Sequence, residues 1–362
     1  MKNDVSTFRS FGLVLFLSIC NLCYVTVNGQ TTWIANANSG AATGPNTFTG
    51  TDAITEALAA ASNGDLIYVV PSGNAYDAIQ VSKEVLIFGG GYNPRNSSSP
   101  LSIINGIDLS ASNVRLSGLR IPVTINSSLV GSISNIMIDK CHFRSLHLTT
   151  NTAVGNLVVQ NCVIGDNTSL NEGQLNHHTG VTNARLLNSI IYIRSASSIP
   201  SGLVGAAIEN NLFVGVGNPP STQGALGTVT NCLIRNNIFY GVQPKGGNLD
   251  DNTQEYNISF DCVDCSFSVV DGNTSSNNLE GVDPQFVNMT HASSFQFSFD
   301  VSLQATSPGK GTGSDGKDRG VFGGLIPYDI HGSPLPTIQS ISAPTMVGEG
   351  SDLTVRIQAI GN

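Results

Sequence analysis

Six residues carry the chemistry this chain could perform: Asp139, His142 and Arg144 in one segment, and Glu209, Arg235 and Asp261 further along. In Asp139-Lys140-Cys141-His142-Phe143-Arg144, strand alternation sends Cys141 and Phe143 one way and His142 and Arg144 the other. An outward imidazole or guanidinium suits the removal of a proton beside a carboxylate, or the stabilisation of the anion that results. Glu209, Arg235 and Asp261 fall at one offset of a repeat, so stacking would set an arginine between two carboxylates. That arginine could neutralise a uronate through its guanidinium fork. The plainer outcome is a surface ion-pair stack contributing about 0–1 kcal/mol per pair.

Other pairs are weaker. Asp250 and Asp251 are adjacent, so on an extended chain they point to opposite sides and make a poor acid/base couple. His177-His178 is predicted in a surface loop. Asp315 and Asp318 lack the ligand spacing of a calcium loop. Cys262-Val263-Asp264-Cys265 has no second cysteine pair or histidine partner for zinc, and a local disulfide stays open there. No metal and no cofactor are predicted.

The elements that must position these residues form a repeat. Segments 113–121, 135–143, 156–164, 183–191, 206–213 and 231–239 write one pattern six times. Its first apolar positions are Val114, Ile136, Leu157, Ala184, Ala206 and Cys232, with a seventh, weaker copy placed at Ile258. The intervals are 22, 21, 27, 22, 26 and 26 residues, which is the period of stacked supersecondary units. We number each unit from that first position as offset 0. Offsets 0 and +2 are apolar, the alternation of a half-buried strand. Offset +4 runs Gly118, Lys140, Asn161, Asn188, Asn210, Asn236, where Asn and Gly tolerate a left-handed bend and stacked amides can bond along the column. Offset +7 is large and apolar: Ile121, Phe143, Ile164, Ile191, Phe213, Phe239. Offset +5 stacks Cys141 on Cys162 as a buried thiol pair. Strand, bend, strand at this period predicts an all-β chain, a right-handed parallel β-helix. Helical periodicity near Asp52–Ala61 predicts a cap on its N-terminal end.

Residues 1–29 combine Lys2 and Arg9, an apolar run from Phe11 to Val27, and Val27-Asn28-Gly29. They read as a signal peptide, hence a secreted or cell-surface protein with no membrane span once it is removed. The whole chain carries −9; removal also takes Lys2, Arg9 and Asp4, leaving −10. That balance excludes nucleic acid or anionic lipid held by bulk charge. Five cysteines remain, an odd number and no disulfide framework. The β-helix is assigned to 30–326, and 327–362 to a Pro-containing linker and a short β tail.

The opening TDAITEALAAASNGDLIYV followed by VSKEVLIFGGGY resembles the entry segment of the pectin-lyase-like right-handed parallel β-helix superfamily. The closing series DPQF, LQATSPGKGTG and DRGVFGG is similar to the last coils of secreted bacterial β-helix repeat proteins. The resemblance implies fold and secretion. It does not fix activity, because the superfamily holds lyases, hydrolases, esterases and non-catalytic surface proteins. The catalytic patterns expected of a polygalacturonase or of the Trp-Ile-Asp-His lyase branch do not occur. The favoured expectation is a non-catalytic surface protein that binds an extracellular polysaccharide. A lyase or glycosidase acting on an acidic polysaccharide comes second, and a purely structural solenoid third. Outward aromatics are few, with Tyr192 and Tyr240 the main candidates.

Overall fold

A computed structural model describes residues 29–93, 100–127, 131–148, 152–165, 175–193, 201–215, 224–289, 296–329, 334, 337–342 and 355–360. It is a parallel β-helix with one α-helix among the described residues, Ala53–Ala60. That helix buries Ala53, Ile54, Ala57 and Leu58. It packs on the first strands, Thr32–Asn36, Thr47–Thr49 and Leu66–Val69.

The repeat pairs rung on rung. Arg115 sits beside Met137, Ile136 beside Leu157, Val158 beside Arg185, Arg185 beside Ala207, and Ala207 beside Leu233. The same ladder runs further towards the N-terminus through Leu86–Phe88, Leu66–Val69 and Thr32–Asn36. The bend at +4 is real: Gly118, Lys140, Asn161, Asn188, Asn210 and Asn236 all have φ between 43° and 66°. Offset +7 is a continuous buried stack, with Phe213 and Phe239 parallel at 4.9 Å.

Three expectations need correction. First, the seventh unit begins at Asn252, not Ile258. Leu233 pairs with Thr253 and Arg235 with Glu255, while Ile258 pairs with Ile238 at offset +6. Second, the side-chain amides bond rung to rung not at +4 but at offset −1, through Asn113, Asn135, Asn156 and Asn183, and one position past the bend, at +5, where Asn211, Asn237, Asn257 and Asn278 succeed Cys141, Cys162 and Ser189. Asn211 Nδ2 donates to Leu186 O at 2.8 Å and to Asn237 Oδ1 at 3.0 Å, and the pattern repeats at the next two rungs. The physical reason is that the sharp bend interrupts the backbone ladder. A buried carbonyl at +2 then needs a side-chain donor.

Third, the closing motifs are not coils. The parallel ladder ends at Thr274–Ser276 and Leu279–Glu280. Phe286–Asn288 and Asp300–Leu303 then pair antiparallel, and the chain turns back along the outside of the helix. It descends the +4 corner rung by rung. Arg319 donates to Asn257 O and Asn277 O, Gly320 N to Asn236 O, and Asp329 N to Asn161 Oδ1. Asn188 Nδ2 donates to Val321 O and Gly323 O, both at 2.9 Å. The glycines of DRGVFGG permit this approach: a β-carbon at Gly320 would lie 2.7 Å from Ile238, and at Gly323 2.8 Å from Asn210 Oδ1.

The strap covers a second apolar layer. Val163, Ile190, Leu212, Ile238 and Ile258 at +6, with Tyr192 and Val214 at +8, face away from the first core. They are buried with Phe286, Val301, Leu303, Val321 and Tyr328. Beyond the strap, Thr337–Ser342 and Arg356–Ile360 form an antiparallel pair.

Candidate functional site

The outward +3 column is one continuous line of paired residues. It runs Tyr68, Phe88, Ser117, Asp139, Gln160, Leu187, Glu209, Arg235, Glu255, Ser276. Alternation turns these side chains away from the core, and the parallel register brings like offsets together at roughly 4.8 Å.

Glu209 and Arg235 meet as the sequence predicts. Arg235 Nε donates to Glu209 Oε1 at 2.9 Å, and the arginine side chain is 33% exposed. Its other neighbour is Glu255, with Nη1 3.5 Å from Oε1. Burial opposes the charge on Arg235. The hydrogen bond and field of Glu209, with Glu255 behind it, outweigh that and hold the guanidinium pKa above its ordinary value. Asp261 is not in this ladder. It lies past the second strand of its rung, in a left-handed turn with φ 54°. Glu255 takes the place assigned to it, because the register of that rung is set by Asn252 and not by Ile258.

Asp139 is turned outward from the core but is buried, 3% exposed. Its Oδ2 accepts from Arg115 Nη2 at 3.0 Å and from Ser117 Oγ at 3.2 Å, and its Oδ1 accepts from Gln160 Nε2 at 3.1 Å. Arg144, at +8, is half-buried. The solvent-facing position expected for His142 is also corrected. Its ring leaves the core as alternation requires, yet it is buried beneath Tyr92 and Phe297, with ring centroids 6.0 and 5.8 Å away, and beside the Arg120 guanidinium. Over this site the strap closes through Tyr92 Oη to Tyr328 Oη at 2.7 Å, and Lys140 pairs with Asp329 at 3.5 Å. His177 and His178 lie in strand Leu175–Thr182 rather than in a loop.

Burial first, and the neighbouring Arg120 second, push the His142 pKa well below its ordinary value. The folded site therefore refuses a proton that the unfolded chain accepts below about pH 6.5. Stability from this group is complete above that pH and is lost as pH falls through the window below it. Denaturant midpoints measured from pH 8 to pH 5 should decline, and His142→Gln should flatten the decline. An equal slope in both proteins contradicts the assignment.

The cysteines divide cleanly. Cys141 and Cys162 are buried and free, and burial pushes the Cys141 thiol up to about 12, so neither is a nucleophile. Cys262 and Cys265 form a disulfide. Among the described residues no group of three His, Cys, Asp or Glu converges as a metal site requires, and no helix is long and apolar enough to cross a membrane.

Of the predicted aromatics, Tyr192 is fully buried under the strap. Tyr240 is half-buried, stacked on Phe260 at 6.0 Å and edge-on to Phe286 at 5.2 Å. The pair that sequence reasoning missed is Tyr68 and Phe88. They stack at 5.2 Å, half-buried, on the +3 column. The signal was present in LIYV and LIF, which alternate as the later rungs do.

No family model matches the chain, and no curated protein matches it in sequence. Solved structures do match it. One is the crystal structure of pectate lyase Pel9A, 11% identical over 81% of this chain and 96% of that one, with a TM-score of 0.44. At that distance no residue of the enzyme is carried over to this chain. The parallel β-helix is the fold class that the resemblance to the pectin-lyase-like superfamily implies.

Proposed function

We propose that this is a secreted β-helix surface protein that binds extracellular glycan without cleaving it. One observation carries the reading: the charged side chains of the +3 column are each engaged with a neighbouring charge. Arg115 is held by Asp139, and Arg235 by Glu209 and Glu255. His142, the imidazole suited to proton abstraction, is buried and neutral. A lyase or hydrolase needs an acid or base aimed at a reacting bond. A binding face needs fixed polar groups on a rigid sheet, and a cross-rung ladder supplies them.

Secretion belongs to the same proposal. Residues 1–28 lie outside the described residues, and the support is their basic-apolar-small order together with the Cys262–Cys265 disulfide, which suits an oxidising compartment. Mass spectrometry of exported protein should find an N-terminus near Gln30; an intact Met1 contradicts this.

Arg235→Lys tests the face. Lysine keeps the charge but loses the fork that spans Glu209 and Glu255. Retention on a panel of immobilised glycans should weaken, while the denaturant midpoint shifts by no more than about 1 kcal/mol, since half-exposed ion pairs contribute little. Unchanged retention of every glycan that the parent protein binds makes the ladder purely structural.

A further inference from the structure

Resting on the glycan-binding reading, we infer that the sugar contact is the outward aromatic pair Tyr68–Phe88, and that the ligand is an uncharged polysaccharide rather than a polyuronate. Many of the large rings are spent inside the protein. Tyr76, Tyr92, Tyr192, Phe143, Phe213 and Phe239 are fully buried. Tyr68 and Phe88 belong to neither apolar core, yet they stack on adjacent rungs with an interplanar angle of 29°. Half-buried Leu66 and Leu86 lie one step away on the same face, at offset +1. This makes a flat apolar platform fixed by two paired strands. A pyranose ring offers a matching surface, with C–H groups on its face and hydroxyls at its rim. Aromatic side chains gain from such face contact at little entropic cost.

Charge selects among polysaccharides. The chain carries −9 overall, and the platform itself carries no formal charge. Along the same column Asp139 is neutralised by Arg115, and Glu209, Arg235 and Glu255 sum to −1. Arg235 lies between Glu209 and Glu255, so its charge is already balanced before a uronate arrives, and what its exposed edge keeps is hydrogen bonding to the hydroxyls of a neutral chain running along the column. Arg185 at offset +1 is exposed, but one cation does not match a polymer with a carboxylate on every repeat. With Arg185 counted, the charges of this face sum to zero, so a polyuronate gains no attraction here and meets the repulsion of the negative chain as a whole, whereas a neutral polymer does not.

The experiment is affinity electrophoresis of the 30–362 protein in xylan, glucomannan, mixed-linkage glucan, polygalacturonate and alginate. At least one neutral polymer should retard it, and the two polyuronates should not. Tyr68→Ala and Phe88→Ala should each weaken that retardation about tenfold, with melting unchanged, while Phe88→Trp preserves it. If an alanine variant loses its fold, Tyr68→Leu, which keeps apolar bulk without the flat ring, should show the same loss of binding. Retardation by a polyuronate, or neutral binding untouched by these variants, overturns the inference and leaves the glycan-binding reading standing. No retardation in any of the five polymers sinks both.

Discussion

Phe213→Ala should lower the free energy of unfolding by about 3–5 kcal/mol, the cost of a large-to-small change in a tight core. Phe213 is fully buried, at offset +7, and lies parallel to Phe239 one rung away. A solenoid core is a column, and each ring is covered only by its neighbours above and below. Removing one ring leaves a void bounded by Phe239 and Ile191, which paired backbones hold open. Fluorescence and circular dichroism in guanidinium should show the midpoint falling together. A midpoint within error of the parent protein means that the ring is not where the register places it.

The second large effect concerns the strap. Asn188 is 4% exposed, sits at φ 43°, and donates both amide hydrogens to strap carbonyls. Asn188→Ala leaves Val321 O and Gly323 O buried without those donors, and it places alanine in a left-handed bend. Together these should cost on the order of 3–6 kcal/mol. Asn188→Gly should recover about 1 kcal/mol of it, because glycine removes only the backbone strain. The lesion is local to the second apolar layer, so protease should cut beyond residue 283 before the rungs open. A variant as stable and as resistant as the parent would show that the strap is held by its side chains alone.

Much of this architecture could be read from the residues, for identifiable reasons. Offset +7 is apolar in every one of the first six units and is buried in each, so Phe143, Phe213 and Phe239 were placed by alternation alone. The bend was readable because Gly118 and four asparagines recur at +4, where a left-handed angle is needed. The seventh unit was misplaced because its inward residues are polar. Asn252 and Gln254 are buried at offsets 0 and +2, with Asn252 Oδ1 accepting from Cys232 N at 2.8 Å and Gln254 Nε2 donating to Ser268 O at 3.0 Å. An apolar alignment passes over such residues and settles on Ile258 and Phe260. Glu255 was missed and Asp261 put in its place through that slip.

His142 failed for another reason. Alternation tells which side of a strand a residue takes, not what lies on that side. The cover comes from Tyr92 and Phe297, both distant in the chain, one before His142 and one after it, and no local pattern contains it. A trace was there: the +6 residues Val163, Ile190, Leu212, Ile238 and Ile258 are apolar on the outward side, which a solvent-facing strand would not need. The motifs DPQF and DRGVFGG then read as its cover rather than as further coils.

The central claim is that the rung face holds glycan without breaking it. The direct measurement is prolonged incubation of the 30–362 protein with a polymer that retards it, followed by size analysis and reducing-end assay. The polymer should keep its full length and its reducing-end count, at pH 5 and at pH 8, while the protein stays bound. Shortened chains, with unsaturated ends from elimination or new reducing ends from hydrolysis, would contradict the account, provided that the activity is lost in Arg235→Lys or Tyr68→Ala and so belongs to this face.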